Sequence, residues 1–223
     1  MVWGWVGPRG FGDFFPHGDY VGWEEGLKRY FDEEMAAEQK AAFDNWHVKY
    51  MGEVSRKFTE EGRGMLKSHE RPTEFRMLEA RKSLGSLIAL ADGLLAVDEG
   101  LKEIIERLEP GVHQFWPLRI TLPKGGEYPV PYYGMVICRF IDSFVPEQST
   151  VHQVSEGSSS YFTNGPTKQD YAALALSTGA IAGAHLWRER RLRMPDVFFS
   201  DELQAVMTRS GLRMAKHHRL KAV

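Results

Sequence analysis

Two segments of this chain follow the same order of strand, helix and strand, and this repetition restricts the folds that the chain can adopt. Residues 94–120 read LLAVDEGLKEIIERLEPGVHQFWPLRI, and residues 197–223 read VFFSDELQAVMTRSGLRMAKHHRLKAV. In each segment an apolar run ends at an acidic helix start, and apolar residues then recur at helical spacing. A glycine, Gly111 or Gly211, precedes the second strand-like run. We therefore predict two related strand-helix-strand units, neither of which contains a residue pattern typical of a reaction centre.

The length and composition are typical of a folded protein with a substantial core. A chain of 223 residues can form one large domain or two small ones, and it needs no disulfide or metal to hold its core. The single cysteine, Cys138, excludes an internal disulfide and favours a reducing compartment. No apolar run is long enough to span a membrane, and the first residues, MVWGWVGPRG, lack the features of a signal peptide. We therefore expect a cytoplasmic protein.

The distribution of strand-like and helix-like segments predicts an α+β fold. Strand-like runs outnumber helical ones after residue 110, and two of them are His113–Leu122 and Tyr132–Phe144. Pro117 favours an edge position for the first run, because proline cannot donate a hydrogen bond to a neighbouring strand. We predict a mostly antiparallel sheet with helices packed on one side.

Composition divides the chain into two predicted domains, residues 1–62 and residues 74–223. The first domain is rich in aromatic and acidic residues and contains a long helix. Residues 59–73, TEEGRGMLKSHERPT, are charged, contain glycine and end near a proline, and they are the best candidate for a linker. The second domain contains both strand-helix-strand units.

The first domain begins with aromatic residues that alternate with glycine and proline, a composition that predicts a short strand at 2–6 and an ordered loop. Its aromatic side chains can pack on the core or on a partner. A helix is predicted over about 24–44, because Leu27, Phe31 and Met35 recur every four residues. We assign no element to the residues that follow, because their pattern fits a helix and a strand equally well.

The sequence contains no pattern typical of a catalytic or metal-binding site. His217 and His218 are adjacent, so their side chains diverge on a helix or a strand. His113, His152 and His185 have no ligand-spaced partners nearby. Neither a Gly-x-Ser-x-Gly elbow nor the Lys-Ser or Lys-Thr of a phosphate loop is present. We therefore predict no enzymatic activity, no metal and no cofactor.

The charges are unevenly distributed along the chain. Residues 1–62 hold 12 acidic and 7 basic side chains, whereas residues 188–223 hold 9 basic and 4 acidic ones. The basic end makes nucleic-acid binding the alternative function. An enzyme that uses His113, His185 and Cys138 is a third hypothesis. The residues that would contact nucleic acid are Arg188, Arg190, Arg191, Arg193, Lys216, Arg219 and Lys221.

The phrase LKEIIERLEPGVHQFWPLRI resembles a bacterial immunity-protein family from polymorphic toxin systems, described as immunity protein eleven-like and formerly as a domain of unknown function. Its members show a short apolar strand, a capped helix and a strand with a glycine, an aromatic residue and a proline. A closing block with Ser-Asp-Glu-Leu and Gly-Leu is similar to residues 185–212. The resemblance covers roughly residues 74–223 and omits the first domain. The residues that match the glycine-aromatic-proline pattern are Gly111, Phe115, Trp116 and Pro117.

The resemblance implies a non-enzymatic antidote in the cytoplasm that binds a cognate secreted antibacterial toxin and neutralises it by occlusion. It implies a toxin that is encoded next to this chain, and it implies neither a membrane nor a nucleic acid as a partner. Since nucleases are commonly basic, we predict that the acidic first helix is the contact face. The predicted toxin-binding residues are Glu24, Glu25, Glu33, Glu34 and Glu38.

Overall fold

The structure of the protein is a computed structural model that describes residues 1–43, 46–155, 157–162, 165–193 and 197–223. The described residues form two compact units. These units do not coincide with the predicted domains, whose separate folding stays a prediction. Unit 1 comprises Met1–Arg9, Gly100–His113 and Ile137–Val223, and unit 2 comprises Gly10–Glu99 and Gln114–Val136.

Strands and short helices alternate along the described part of the chain. The strands are β1 Val2–Trp5, β2 Gly18–Tyr20, β3 Glu74–Met77, β4 Leu87–Ala89, β5 Leu95–Asp98, β6 Gln114–Thr121, β7 Tyr132–Val136, β8 Phe140–Ile141, β9 His152–Gln153, β10 Tyr161–Phe162, β11 Ala175–Leu176, β12 Leu186–Glu189, β13 Val197–Ser200 and β14 His217–Ala222. The α-helices are α1 Trp23–Arg29, α2 Ala37–Lys40, α3 Gly52–Arg56, α4 Glu99–Leu108, α5 Lys168–Ala172 and α6 Asp201–Arg209. Two π-helical segments span Tyr30–Glu34 and Trp46–Met51.

Unit 1 is built on a six-stranded sheet in the order β11-β14-β1-β13-β12-β8. The outer pairs β11/β14 and β12/β8 are parallel, and the inner pairs are antiparallel. Helix α6 packs against β13 and β1. Buried Val2, Trp187, Phe198 and Leu220 place the core of the unit on this sheet. Strands β9 and β10 form a separate two-stranded ribbon.

Unit 2 is built on a second six-stranded sheet, in the order β2-β3-β6-β7-β5-β4. Only the β3/β6 pair is parallel among its described pairings. The predicted edge position of the strand with Pro117 is wrong, because β6 lies between β3 and β7. Strand β3 pairs with β6 only at Arg119–Thr121, so Pro117 lies where β6 has a single neighbour and needs no N–H on the other side.

The predicted α+β class is confirmed, and eight of the eleven strand pairings among the described residues are antiparallel. Both predicted strand-helix-strand units are present, as β5-α4-β6 and β13-α6-β14. In β13-α6-β14, Ser200 caps α6, since its Oγ accepts a hydrogen bond from the N–H of Leu203 at 3.1 Å. The structure divides the described strands between two six-stranded sheets and a two-stranded ribbon, whereas the sequence suggested one sheet.

The two sheets share the order and relative directions of five strands. The matching order is β3-β6-β7-β5-β4 in unit 2 and β11-β14-β1-β13-β12 in unit 1. In both, the first pair of strands is parallel and the other three pairs are antiparallel. In each sheet a helix joins two parallel strands, and one antiparallel strand lies between them. In unit 2 that middle strand follows directly along the chain, but in unit 1 it is β1, from the opposite end of the sequence.

Each middle strand carries a glycine at the same register position. Gly134 pairs with Ala96, and Gly4 pairs with Phe198, which stands at the matching place in β13. A methyl group on Gly134 would lie 2.5 Å from the ring of Trp116, and one on Gly4 would lie 2.8 Å from the ring of Tyr171. In both sheets the glycine therefore makes room for an aromatic ring that lies over the strand.

Replacing Gly134 with alanine is expected to lower the free energy of unfolding by about 1–3 kcal/mol, a typical cost of overpacking a core. Trp116 cannot easily move aside, because it is buried and its Nε1 donates to the Pro72 carbonyl at 2.7 Å. Urea unfolding measures the change. Gly10→Ala is the matched control, since a methyl group there meets nothing within 4 Å. Equal stability of the two variants would contradict the close approach.

The predicted helix over 24–44 is wrong as a single helix; residue 44 lies outside the described residues. Helix α1 passes into a π-helical turn that closes with a hydrogen bond from the N–H of Met35 to the Tyr30 carbonyl, at 2.8 Å. Met35 and Ala36 then have extended backbones, and α2 begins afterwards. A four-residue repeat drifts about 40° per step around an α-helix. The wider π turn offsets this drift, and Met35 is buried.

The predicted linker over 59–73 is an ordered part of unit 2. Leu66 and Glu70 within it are buried. The Gln114 side chain accepts from the N–H of Leu66 at 3.1 Å and donates to its carbonyl at 2.7 Å. This segment therefore packs into unit 2.

Candidate functional site

The five predicted toxin-binding glutamates lie on one segment of unit 2, residues 23–40, which we call the acidic segment. Glu24 and Glu25 are in the first turn of α1, Glu33 and Glu34 end the π-helical turn, and Glu38 is in α2. All five residues are exposed to solvent. The break at Met35 and Ala36 changes the direction of the segment but leaves each glutamate on the surface.

Apolar side chains fix the other side of the acidic segment. Trp23, Leu27 and Met35 are buried. The Nε1 of Trp23 donates a hydrogen bond to the Glu70 carbonyl at 2.8 Å, and the Trp23 ring stacks on Phe58 with 5.7 Å between centroids. The segment is therefore anchored through one face and displays its carboxylates from the other.

Two basic residues of the acidic segment are held close to Asp32. The Lys28 ammonium lies 2.5 Å from the Asp32 carboxylate, and Lys40 donates to the Asp32 carbonyl at 2.6 Å. The Lys28 pair is exposed and contributes little to stability. The two contacts place the charges of Lys28 and Lys40 beside Asp32. Residues 23–40 carry six acidic and three basic side chains in total.

A cavity of about 360 Å³ borders the acidic segment, and we call it the aromatic cavity. The acidic segment contributes to its wall, and so do α3 and the residues that lead to β3. Its wall and floor include Tyr30, Met35, Phe43, Tyr50, Lys57 and Glu70.

Aromatic contacts hold the wall of the cavity together. The Tyr30 ring stacks on the His69 ring, with 3.6 Å between centroids and 15° between planes. The Tyr50 ring meets Phe43 edge-on at 5.3 Å and lies 5.7 Å from Phe31. The edge-on contact between Tyr50 and Phe43 is a favourable aromatic geometry, and together these ring contacts form a preorganised surface.

A buried ion pair forms the floor of the cavity. The Lys57 ammonium lies 2.7 Å from both carboxylate oxygens of Glu70, whose side chain is only 4% exposed. The same carboxylate accepts a hydrogen bond from the N–H of Lys67 at 2.8 Å. The charge of Glu70 is therefore fully compensated at this position.

The hydroxyl of Tyr50 lies 3.2 Å from Nε2 of His69, beside this pair. Burial, with the nearby charge of Glu70, raises the pKa of Tyr50 well above its usual value. Burial also lowers the pKa of His69 below its usual value. With its proton retained, the Tyr50 hydroxyl can donate to a neutral His69 ring.

The histidines and cysteine of the third hypothesis surround the Glu109 carboxylate in unit 1. The His113 Nε2 lies 2.6 Å from Glu109, and the N–H groups of His185 and Leu186 donate to the same carboxylate at 2.8 and 3.1 Å. The His113 Nδ1 accepts from the N–H of Cys138 at 3.3 Å, so Nε2 carries the proton given to Glu109. The His113 side chain is 0% exposed and is therefore shielded from solvent.

The basic residues of the nucleic-acid alternative are split between the surface and the interior of unit 1. Arg188 is 3% exposed and lies in β12 beside buried Trp187 and Glu189. Arg191 is half-buried, and its guanidinium lies 5.2 Å from the Tyr161 ring. The basic run therefore begins as a buried strand, and its seven predicted contact residues do not all present charge to solvent. The exposed ones are Arg190, Arg193, Lys216, Arg219 and Lys221.

The described residues contain neither a candidate metal site nor a candidate membrane-spanning helix. No three His, Cys, Asp or Glu side chains in that part of the chain come close enough to hold a metal ion. None of the helices there is both long and apolar enough to cross a membrane.

Comparison with known proteins identifies a family. The sequence pattern of the immunity protein family Imm11 matches residues 21–220 of the 223 in the chain. The chain belongs to the Imm11 immunity protein family. No curated protein matches the chain.

The Imm11 match extends further than the resemblance suggested by the sequence alone. It begins at residue 21 and therefore includes the acidic segment and the aromatic cavity, both of which precede residue 74. Residues 21–62 of the predicted first domain therefore lie within the family pattern.

The exposure of the acidic segment agrees with the sequence pattern, but the cavity beside it was not predicted. Tyr50 fell in a stretch to which no element was assigned, and Lys57 and Glu70 fell in or near the supposed linker. A basic and an acidic residue at 57 and 70 give no local signal of pairing. The concentration of aromatic residues between 30 and 50 was the one available hint.

Proposed function

We propose that this Imm11 protein binds a cognate secreted antibacterial toxin in the cytoplasm and neutralises it by covering its active site or its substrate entry. Membership of the immunity family carries this proposal. Inhibition by occlusion requires a rigid surface of roughly 1,200–2,000 Å² buried between the partners and no reactive group. The buried, fully bonded states of Glu109 and His113 agree with such a role.

We place the toxin contact on the acidic segment, with Glu24, Glu25, Glu33, Glu34 and Glu38 facing a basic toxin. Support comes from the exposure of all five side chains and from the anchoring of the segment by Trp23 and Leu27. Carboxylates clustered on a fixed segment attract a basic partner and raise its association rate.

A growth assay tests the function itself. The reading frame beside this one is expressed alone and together with this chain, and the two products are co-purified. We expect toxicity from the neighbour alone, full growth on co-expression and a stable 1:1 complex. A harmless neighbour, or a toxic one that this chain neither binds nor counteracts, would remove the proposal.

Reversing the five glutamates to lysine is expected to slow toxin association by about tenfold or more at low salt, because the attraction becomes repulsion. The difference should shrink at high salt, where exposed charges are screened beyond about 3 Å at 1 M. Surface plasmon resonance at two salt concentrations measures both effects.

The matched control changes net charge equally but at other exposed glutamates. If this control slows association as much as reversal of the acidic segment does, net charge and not the segment governs capture. The five control residues are Glu103, Glu106, Glu127, Glu147 and Glu202.

A further inference from the structure

We infer that the aromatic cavity is the anchor site of the interface, which receives one apolar side chain from a basic surface of the toxin. This inference rests on the proposed function and adds to it the chemistry of the central contact. Interfaces depend on a few residues that fill well-packed pockets, surrounded by contacts of smaller energy.

The wall of the cavity suits an apolar guest. Tyr30, Phe43 and Tyr50 contribute aromatic faces, and Met35 contributes a flexible thioether that adapts to the shape of its neighbour. The volume of about 360 Å³ lies within the range of about 300–1,000 Å³ that is usual for ligand pockets. A side chain as large as tryptophan, leucine or phenylalanine can enter it.

Several polar groups of the cavity already have partners. Lys57 and Glu70 neutralise each other, and the Tyr50 hydroxyl is bonded to His69. Glu53, also in the wall, pairs with Arg56 at 2.6 Å and with Arg63 at 3.0 Å. An incoming polar group would lose its hydration without gaining these groups as partners, whereas an apolar side chain has no hydrogen bonds to lose.

The negative charge at the border of the cavity indicates which toxin residues flank the inserted apolar side chain. Tyr30, Met35 and Gln39 line the cavity, and the exposed Glu33, Glu34 and Glu38 lie between or beside them on the same segment. A partner that fills the cavity therefore brings its adjacent surface against these carboxylates. Charge complementarity selects an apolar residue flanked by Lys or Arg.

The backbone beside the cavity is unusual in the same place. Both π-helical segments of the described residues contribute a wall tyrosine, Tyr30 from the first and Tyr50 from the second. π-helical turns are rare and occur frequently at functional sites. Here they bring the two rings next to each other in the wall, with 6.3 Å between their centroids.

The decisive variant is Ala42→Trp, tested in the full chain with the toxin found by the growth assay. Ala42 lines the cavity and is exposed, so the new indole fills the opening without disturbing the core. We expect the dissociation constant of the Ala42→Trp variant for the toxin to rise at least tenfold, and its unfolding midpoint to stay unchanged. Ala41→Trp is the control, since Ala41 is an exposed neighbour outside the wall.

A double-mutant cycle identifies the guest. Apolar residues on the basic surface of the toxin are replaced one at a time with alanine. One replacement is expected to weaken binding to the wild-type chain at least tenfold and to have little further effect on binding to Ala42→Trp.

Any one of four results would overturn the inference. Affinity unchanged in Ala42→Trp, or equally weakened in Ala41→Trp, shows that the cavity is not the anchor while protection from the toxin still stands. A cycle in which all effects add shows that no toxin side chain enters the cavity. Absence of any protection by the wild-type chain removes the proposed function and, with it, this inference.

Discussion

Replacing Glu109 with alanine is expected to lower the free energy of unfolding by about 3 kcal/mol or more, because three buried N–H donors would each lose their acceptor. The Glu109 side chain is 1% exposed and accepts from His113 and from the N–H groups of His185 and Leu186. Arg139 lies 3.4 Å from the same carboxylate. Alanine would leave these buried donors without an acceptor and would open a cavity beside β12.

Urea unfolding followed by tryptophan fluorescence measures this loss, and Glu106→Ala, in helix α4 just before Glu109, is the control. Glu106 is exposed and pairs with Lys102 at 2.5 Å across one helical turn, so its removal should cost less than about 0.5 kcal/mol. A loss of stability in Glu109→Ala no larger than that of Glu106→Ala would show that the carboxylate does not organise the interior of unit 1.

The Glu109 carboxylate is also expected to make the free energy of unfolding depend on pH in the acidic range. Burial alone raises the pKa of Glu109, but hydrogen bonds from His113 and from the His185 N–H, with the charge of Arg139, lower it overall below its usual value. A lowered folded-state pKa stabilises the protein above the unfolded value of about 4.3 and loses that contribution as pH falls through the folded value. Unfolding between pH 6 and 3 should therefore be less pH-dependent in Glu109→Gln than in the wild type.

Replacing Lys57 with methionine is expected to destabilise unit 2 by about 3 kcal/mol, because the Glu70 carboxylate would keep its burial and lose its counter-charge. Methionine has a similar stem, so packing changes little and the lost charge accounts for the effect. Unfolding in urea measures the change, and toxin affinity measures whether the floor of the aromatic cavity must stay intact.

The double variant Lys57→Met and Glu70→Gln is the control. The glutamine oxygen can still accept from the N–H of Lys67, and no charge remains buried, so most of the lost stability should return. If the double variant is as unstable as Lys57→Met alone, the loss arises from packing and not from an uncompensated charge.

Local patterns were sufficient to predict the strand-helix-strand units. Helices α4 and α6 follow directly from an apolar strand, begin with acidic residues and are followed by Gly111 and Gly211, both with a positive φ. Each of these signals lies within a few residues of the element that it defines. The α+β class followed from the same local evidence.

The predictions that were wrong depended on contacts between distant residues. The helix predicted over 24–44 changes from α to π at Tyr30 and Phe31, whose rings contact His69 and Tyr50. The spacing of apolar residues within a helix cannot reveal such distant partners. The supposed linker is held by Leu66 bonding to Gln114, far along the chain. Charged and glycine-bearing composition indicated exposure there, but a single buried leucine and a paired Glu70 outweighed it.

The candidate site divides in the same way. The exposure of Glu33 and Glu34 could be expected because charged residues beside an apolar repeat face solvent. The aromatic cavity could not, since its wall and floor join residues from three separate stretches of sequence. A single sequence indicates that aromatic residues are abundant between 30 and 50, and only the fold shows that they surround a space.

The position of β1 in the middle of its sheet affects when the protein becomes complete during synthesis. Residues 2–5 are made early, yet their partners β13 and β14 end at Ser200 and Ala222. Unit 2 ends at Val136 and can fold while later residues are still being added. The VWGW segment therefore stays unpaired until β13 and β14 have been made, and closing so long a loop is slow. If unit 1 is needed for neutralisation, protection of the cell will lag behind the appearance of the chain.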